Sequence, residues 1–225
     1  RENKLTPWAN DPVCDPPGEA IYVRDEDSGE LWGPTALPIR EIGEPYVARH
    51  GQGYSRFEHS AHGIALELLQ FVPGDDPVKV SRLSLVNTSR RRRRLTVTAY
   101  VEWVLGVSRS GSAPHLVTGL DPQTGALLAR NTWSGDFGGR IAFADLGGAQ
   151  TAWTGDRTEF LGRYGDLGRP AGLARGVRLS GRLGAGLDPC GALQAAVELE
   201  PGARAEIVVL LGEAADPEAA AALVA

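Results

Sequence analysis

Segments in which hydrophobic and polar residues alternate predict a protein made mainly of strands. The clearest is Leu95–Val107, LTVTAYVEWVLGV, where every second residue from Leu95 onward is aliphatic, alanine or tryptophan. Threonine, tyrosine and glutamate fill the positions between them as far as Glu102. Because neighbouring side chains of a strand point to opposite faces of its sheet, we expect a long strand with one buried face.

Two more strands are predicted directly before this one. Gly63–Pro73 and Val78–Asn87 are separated by the turn sequence PGDDP, and the sequence NTS follows the second of them. Proline, glycine, aspartate and asparagine favour turns through their backbone geometry and local hydrogen bonds. We therefore predict that the three strands form an antiparallel meander, with their partner strands elsewhere in the chain.

The rest of the chain fits the same antiparallel all-β pattern. Ala20–Arg24 and Glu30–Trp32 are predicted as a hairpin around the turn at 25–29, and Pro201-Gly202 marks a second hairpin. The other predicted strands are 126–130, 139–145, 192–200 and 204–212. Asp216 and Pro217 predict the N-cap and the first residue of a helix. We expect one domain over residues 1–215, followed by this helix at 216–225.

Two segments are predicted to lie outside the sheets. Asn10–Gly18 contains three prolines, which fix the backbone and lack an N–H donor, so it should be an ordered loop. Thr151–Gly172 shows little alternation and is rich in glycine, which predicts a long irregular loop. Loops of that length in compact domains often carry function.

Composition narrows the class of protein. The chain has 225 residues, of which 42% are hydrophobic, and its formal net charge of −5 argues against a nucleic-acid partner. Cys14 and Cys190 are far apart, so neither a disulfide framework nor a zinc site is predicted. No apolar run approaches the roughly 20 residues of a membrane helix. Since the sequence lacks methionine and ends inside the predicted helix, we expect a segment of a larger protein.

Two clusters of charged or titratable residues have simple structural interpretations. His50, His59 and His62 lie close together, but a metal site needs further ligands at fixed spacing, so hydrogen-bonded loop and sheet histidines are favoured. The run Arg90–Arg94 could grip phosphate, but its place between two strands favours a solvated turn. We therefore predict no metal and no cofactor.

Recognisable catalytic motifs are absent from the sequence. A carboxylate pair for glycosidic chemistry cannot be assigned, because the candidate aspartates adjoin glycine or proline and are interpreted as turn residues: Asp75, Asp76, Asp121 and Asp156. The sequence has no nucleophile elbow, P-loop or dinucleotide fingerprint.

The tryptophans point to carbohydrate as a ligand, because the apolar face of a sugar stacks on a flat ring. Trp103 alternates with core residues and is interpreted as packing. The others lie in segments rich in glycine, proline or aspartate, where burial beneath a loop is the more common role and sugar contact the alternative: Trp8, Trp32, Trp133 and Trp153.

Long segments of mixed composition carry a family resemblance over nearly the whole chain. They include TPWANDPVCDPPGEAIYVRDEDSGELWGPTALPIRE at 6–41, ARHGQGYSRFEHSAHGIALELLQFVPGDDPVKVSRLSLVNTS at 48–89, GDRTEFLGRYGDLGRP at 155–170 and LDPCGALQAAVELEPG at 187–202. They resemble the N-terminal domain of the family 94 glycoside phosphorylases, in particular the phosphorylase-like region of bacterial cyclic β-1,2-glucan synthases.

The resemblance implies a β-supersandwich of the galactose-mutarotase type, followed by a helical linker that begins at 216–225 and an (α/α)6 barrel. In the family the general-acid aspartate lies on the barrel and phosphate attacks the anomeric carbon with inversion, so no catalytic residue is expected in this domain. The implied partners are a β-glucan oligosaccharide, the barrel and a second subunit. The implied location is the cytoplasmic face of the bacterial inner membrane, where the parent protein is anchored.

The segment that matches the sugar-approaching part of the family is Asp156–Pro170. From the resemblance, Arg157, Arg163 and Tyr164 are expected to face a ligand. The alternative is that Asp156–Arg157 and Arg163–Asp166 are ion pairs that hold a long loop.

Three functions therefore remain open at this point. The first is a non-catalytic carbohydrate-binding and structural domain of a larger phosphorylase or glucan synthase. The second is an autonomous mutarotase-like sugar enzyme, which would need a histidine and a carboxylate converging in one cleft. The third is a pure scaffold for the barrel, which a large exposed apolar patch would favour.

Overall fold

The computed structural model describes residues 3–8, 11, 13 and 17–225, which form two antiparallel sheets packed face to face. The strands are β1 Glu19–Asp25, β2 Leu31–Trp32, β3 Tyr46–Gly51, β4 Tyr54–Ala61, β5 Ile64–Phe71, β6 Val78–Asn87, β7 Arg93–Glu102, β8 Leu116–Leu120, β9 Leu127–Asn131, β10 Ile141–Asp145, β11 Ala152–Asp156, β12 Pro189–Leu199 and β13 Arg204–Ala214. The five-stranded sheet has the order β11-β12-β7-β1-β2, and the eight-stranded sheet has the order β3-β4-β5-β6-β13-β10-β9-β8. The predicted all-β supersandwich class is confirmed.

Among the described residues, three α-helices and two 3-10 turns, at Ala113–His115 and Ala171–Leu173, accompany the sheets; the α-helices are α1 Arg109–Ser112, α2 Arg157–Leu161 and α3 Pro217–Val224. The predicted start of the last helix is confirmed, because the Asp216 carboxylate accepts a hydrogen bond from the Ala219 N–H at 2.8 Å. None of the described helices is long and apolar enough to cross a membrane. Most of the predicted loop at Asn10–Gly18, including Cys14, lies outside the described residues.

Strand β7 lies at the centre of the five-stranded sheet and is buried on both faces. Leu95 and Val97 pack between the two sheets, while on the opposite face Tyr100 stacks on Phe160 with ring centroids 4.8 Å apart. The expectation of a strand buried on one face is therefore wrong, because α2 and its neighbouring loop cover the outer face. The strand also ends at Glu102, and Val107 is exposed.

Two of the predicted strand pairings are wrong for the same reason. The predicted meander places β7 beside β6, and the predicted hairpin at Pro201-Gly202 pairs β12 with β13, but in each case the two strands lie in different sheets. Strand β6 pairs with β5 and β13, whereas β12 pairs with β7 and β11. A short connection and an alternating pattern look the same whether the chain turns within one sheet or crosses to the facing one.

The two connections that cross from one sheet to the other, residues 88–92 and 200–203, lie side by side, and Asn87 is hydrogen-bonded to both of these crossings. Its side-chain amide, which is fully buried, donates to the carbonyl oxygens of Arg91 at 2.8 Å and Leu199 at 3.0 Å. Its backbone N–H donates to the Ala203 carbonyl, and its own carbonyl accepts from the Gly202 N–H. Asn87 therefore satisfies backbone groups of both crossings at the point where they leave the sheets.

The arginine run is not simply a solvated turn, because Arg93 is buried. Its Nε lies 2.9 Å and its Nη2 2.5 Å from Asp25 Oδ2, and Arg93 also donates to the His62 carbonyl. Asp25 ends β1 in one sheet, whereas His62 lies in the turn after β4 in the other. Arg93 thus links the two sheets, while Arg92 and Arg94 stay exposed, as the turn interpretation requires.

Asp25 makes the stability of this link dependent on pH. Desolvation of the buried carboxylate acts to raise its pKa, but hydrogen bonds from the Ser28 and Asp27 N–H groups and from Arg93 outweigh desolvation and lower it. A folded-state pKa below the unfolded-state value contributes stability above the unfolded value and loses it as the pH falls through the folded one.

We therefore expect the free energy of unfolding to fall as the pH drops below about 4, the ordinary range of an aspartate. Denaturant titrations of the unchanged chain and of Asp25→Asn, each carried out at several pH values from neutral downward, measure this fall in stability. The variant lacks the titrating group, so the stability difference between the two proteins should narrow at low pH. A difference that stays constant from neutral pH down to about pH 2.5 would contradict a lowered Asp25 pKa.

Candidate functional site

One end of the five-stranded sheet gathers charged residues that lie far apart in the sequence. Strand β12 runs antiparallel to both β7 and β11, with Cys190 opposite Glu102 and Pro189 opposite Asp156. The ends of β7 and β11 therefore lie beside the start of β12, which follows Asp188 directly. This topology brings three acidic residues, Glu102, Asp156 and Asp188, together at one end of the strands.

Two arginines and two of these acids form a closed cluster that we call the salt-bridge ring: Glu102, Arg109, Arg157 and Asp188. Arg157 Nε donates to Glu102 Oε2 at 3.0 Å, and Arg157 Nη1 donates to Asp188 Oδ2 at 3.5 Å. Arg109 Nε lies 2.8 Å from Glu102 Oε1, and Arg109 Nη2 donates to Asp188 Oδ1. Each charge faces two opposite charges, so the ring is neutral overall and holds α1 and α2 against the sheet end.

The environment of the ring keeps its neighbours protonated. Burial raises the pKa of the Tyr100 phenol, whose hydroxyl lies 3.2 Å from Glu102 Oε2, and burial likewise raises the pKa of the Cys190 thiol. Burial opposes the charge of Arg157, but its acidic neighbours, Glu102 foremost and Asp188 with it, together outweigh burial and raise the pKa of the Arg157 guanidinium. Cys190 is therefore an inert core thiol, and Arg157 stays a cation.

Asp156 begins α2 and does not pair with Arg157. Its Oδ1 accepts from the Thr158 N–H at 3.0 Å as the N-cap, and its Oδ2 accepts from Arg182 Nη1 at 2.9 Å. The Asp156–Arg157 ion pair of the loop alternative is therefore wrong. The loop prediction for Thr151–Gly172 is also wrong in its first half, because β11 and α2 occupy 152–161. Asp156, which is predicted as a turn residue, does bond to the local backbone, but as the N-cap of a helix.

Arg163 and Tyr164 lie on the exposed segment after α2. The helix ends at Leu161, and the C-cap Gly162 that follows has a φ of 85°, a conformation that glycine adopts without strain. Tyr164 is 94% exposed. Asp166 accepts from the N–H groups of Gly168 and Arg169 within its own turn. Among the described residues no ion pair joins Arg163 to Asp166, so this part of the loop alternative is wrong too.

The three predicted ligand-facing residues thus fall into two groups. Arg157 belongs to the salt-bridge ring, whereas Arg163 and Tyr164 are exposed, and the described contacts do not connect them to it. Sequence reasoning missed Glu102, Arg109 and Asp188 as members of the ring. Glu102 was recognisable as a polar residue in a hydrophobic strand, but its partners depend on a pairing of β7 with β12 that local patterns do not reveal.

The histidines have the hydrogen-bonding partners expected of loop and sheet residues. His50 Nδ1 lies 2.9 Å from Ser55 Oγ, and His59 Nδ1 lies 3.2 Å from the Pro45 carbonyl. His62 lies between two carboxylates, with Nδ1 3.1 Å from Glu30 and Nε2 3.3 Å from Glu41. No group of three or more potential ligands in the described part of the chain is placed to hold a metal ion.

The tryptophans divide by burial. Trp32 and Trp103 are fully buried in the core between the sheets, and Trp153 is partly buried against it. Trp8 and Trp133 are 67% and 75% exposed. The predicted packing role of Trp103 is therefore confirmed, burial is confirmed for Trp32, and Trp8 and Trp133 remain available for contact.

Comparison with known proteins identifies the relatives of the chain. All of it, residues 1–225, matches the family described as glycosyl hydrolase 94, supersandwich domain. A cyclic beta-(1,2)-glucan synthase, NdvB, of Rhizobium meliloti (strain 1021) is 38% identical over 97% of the chain, which spans 8% of that protein. A solabiose phosphorylase of Paenibacillus borealis is 32% identical over 89% of the chain, which spans 26% of it.

A third relative and a solved structure agree with these matches. An N,N'-diacetylchitobiose phosphorylase of Vibrio furnissii is 30% identical over 93% of the chain, which spans 27% of that protein. A bacterial glucoamylase complexed with acarbose superposes with a TM-score of 0.54 at 7% identity, covering 91% of this chain and 27% of the glucoamylase. At that identity the similarity shows the fold alone. The chain therefore spans roughly a tenth to a quarter of its curated relatives.

Proposed function

Because the chain belongs to the supersandwich family of glycosyl hydrolase 94, we propose that it is the non-catalytic, carbohydrate-binding and structural domain of a larger inverting glycoside phosphorylase or cyclic β-1,2-glucan synthase. The observation that carries this proposal is the length of the chain compared with the length of its relatives. The chain matches its family from end to end, yet it spans only 8–27% of the relatives named as synthase or phosphorylases. In this proposal an (α/α)6 barrel outside these residues supplies the catalytic acid, and α3 begins the linker to it.

The sugar-binding part of the proposal is supported by the shape of the segment after α2. Its start is anchored by the Asp156 cap and the salt-bridge ring, and further on the Tyr22 hydroxyl donates to the Leu167 carbonyl at 2.9 Å. Between these anchors Arg163 and Tyr164 project from the surface. A guanidinium with several donors and a flat aromatic ring suit the hydroxyls and the apolar face of a sugar.

Within this proposal the three predicted residues have different roles. Arg163 and Tyr164 contact the sugar directly, and Arg157 is a positioning residue, since Glu102 and Asp188 already engage its Nε and Nη1. The location at the cytoplasmic face of a bacterial inner membrane, and a second subunit as partner, are part of the proposal through the resemblance alone.

Calorimetric titration of the chain with linear β-1,2-glucan oligosaccharides, with a β-1,4-glucan for comparison, tests the proposal. We expect saturable binding that prefers the β-1,2 series, and Arg163→Ala or Tyr164→Ala should weaken it about three- to tenfold, as loss of one direct contact does. Both side chains are exposed, so unfolding midpoints should not move.

Arg204→Ala is the matched control, since Arg204 is an exposed arginine at the start of β13 in the other sheet. Equal affinity of the Arg163 and Tyr164 variants and the unchanged chain would remove both residues from the site. If no sugar binds at millimolar concentration, the carbohydrate-binding role of the chain itself is wrong and only the structural role stands.

The alternative of an autonomous sugar enzyme has one observation in its favour. His62 and Glu41 converge in an open cleft of about 320 Å³, as that alternative requires. However, Trp32, the ring against which His62 packs, is fully buried and offers no face to a sugar. We therefore interpret His62 as a structural residue: from the turn after β4 it packs on Trp32 of β2 and pairs with Glu41 in the loop before β3.

A further inference from the structure

An open groove runs along the surface beyond the end of β7. One part, of about 440 Å³, lies between residues 106–112 and 131–137, and an adjoining part, of about 330 Å³, extends to Lys4 and Trp8. Val107 and Ser108 line both parts, so the two are continuous. We call this surface the tryptophan groove, because Trp8 lines one part and Trp133, although not itself a lining residue, lies in the chain between the lining residues Asn131 and Ser134 of the other.

Trp133 is held in place although it is 75% exposed. One face of its indole stacks on His115, with ring centroids 4.9 Å apart and an angle of 13° between the planes. Its backbone N–H donates to Asn131 Oδ1 at 3.2 Å, and the Phe137 N–H donates to Ser134 Oγ at 3.3 Å. The stack thus fixes the indole against His115, the residue directly before β8, while most of the Trp133 ring stays exposed to solvent.

The groove has the chemistry of a site for a neutral polyol. Its wider part is lined by the hydroxyls of Ser108, Ser112 and Ser134 and by apolar Val107 and Phe137, and Asp136 is its one charged lining residue. The narrower part holds two cations: Arg109, which is neutralised by the salt-bridge ring, and Lys4, whose Nζ lies 5.7 Å from the centroid of the Trp8 ring. A phosphate or other anion would find no concentration of positive charge in the wider part, whereas hydroxyls and a flat ring suit a sugar.

We propose that the tryptophan groove binds a neutral oligosaccharide chain, with one sugar ring stacked on Trp133 and its hydroxyls bonded to Ser108 and Ser134. None of Arg157, Arg163 and Tyr164 lines this surface, which meets the salt-bridge ring only at Arg109 in its narrower part. The groove extends from Trp8 past Val107 to Ser134 and Phe137, which favours a ligand of several sugar units over a monosaccharide.

Tryptophan fluorescence and calorimetry of the full 225-residue chain test this proposal. The probes are linear β-1,2- and β-1,4-glucan oligosaccharides from the disaccharide upward, with choline as a cation that could also occupy an aromatic site. We expect a saturable change in emission with the longer sugars and about a tenfold loss of affinity for them in Trp133→Ala. Tyr54→Ala, which removes an exposed aromatic ring on β4, is the matched control and should bind as the unchanged chain does.

The outcomes separate this proposal from the one before it. If Trp133→Ala weakens binding and Arg163→Ala does not, the groove is established and the segment after α2 is not the sugar site. If only Arg163→Ala weakens binding, the groove proposal is wrong. It is also wrong if choline but no sugar changes the emission, or if no sugar binds. Circular dichroism of Trp133→Ala is expected to match that of the unchanged chain, because the ring is exposed.

Discussion

Replacing Arg93 with methionine is expected to lower the free energy of unfolding by about 3–5 kcal/mol, the cost of breaking a buried ion pair from one side. The guanidinium is buried with the Asp25 carboxylate, so the substitution leaves Asp25 without its buried partner. It also removes the donor to the His62 carbonyl and with it a link between the two sheets. Denaturant-induced unfolding followed by circular dichroism measures the effect.

Arg92→Ala is the matched control, because it removes a neighbouring arginine of the same run. Arg92 pairs with Glu198 and Glu200 on the surface, where ion pairs contribute about 0–1 kcal/mol. If Arg92→Ala and Arg93→Met cost the same, the run is the solvated turn that the sequence predicts. A loss below about 1 kcal/mol in Arg93→Met would contradict the linking role by itself.

The arginine run illustrates how far local patterns reach in this chain. Alternation and turn residues predict most strand positions, and β6 is found at 78–87 as expected. They do not predict which sheet a strand joins, because β6 and β7 would show the same alternation in one sheet or in two. The burial of Arg93 depends on Asp25, 68 positions away in the sequence, so no local signal marks it.

The candidate site shows the same limit. The family resemblance directs attention to Asp156–Pro170, but the local pattern predicts a loop there and misses the helix that Asp156 caps. The partners of Arg157 are not predictable from the local pattern either, because Glu102 and Asp188 come from β7 and from the residue before β12. Their meeting requires the order β11-β12-β7, which long-range pairing determines.

Asn87→Ala is expected to lower the free energy of unfolding by about 2–4 kcal/mol, because it leaves buried backbone groups without partners. The lost amide donates to the Arg91 and Leu199 carbonyls, and its oxygen accepts from the Ser89 N–H at 3.0 Å. Ser89→Ala is the control, since it removes a hydroxyl that donates to the same oxygen but leaves both amide donors in place. The control should cost less than about 1 kcal/mol.

Asn87→Asp distinguishes the donor role of Asn87 from simple packing, because it keeps the shape and replaces the amide donor with a carboxylate oxygen. At neutral pH that oxygen faces two carbonyl oxygens to which it cannot donate a hydrogen bond, so we expect a loss of stability at least as large as that of Asn87→Ala.

The stability of Asn87→Asp should also depend on pH. The burial of the introduced carboxyl raises its folded-state pKa above the unfolded-state value, so the folded state is destabilised as the pH rises and the destabilisation is relieved as the pH falls. The stability gap between Asn87→Asp and the unchanged chain should therefore narrow toward about pH 4, where the protonated group donates again. The contribution of Asp25 is common to both proteins and cancels in this comparison. If Asn87→Asp is as stable as the unchanged chain at neutral pH, the amide does not hold the two crossings together, and their side-by-side path must depend on the backbone bonds to Gly202 and Ala203 alone.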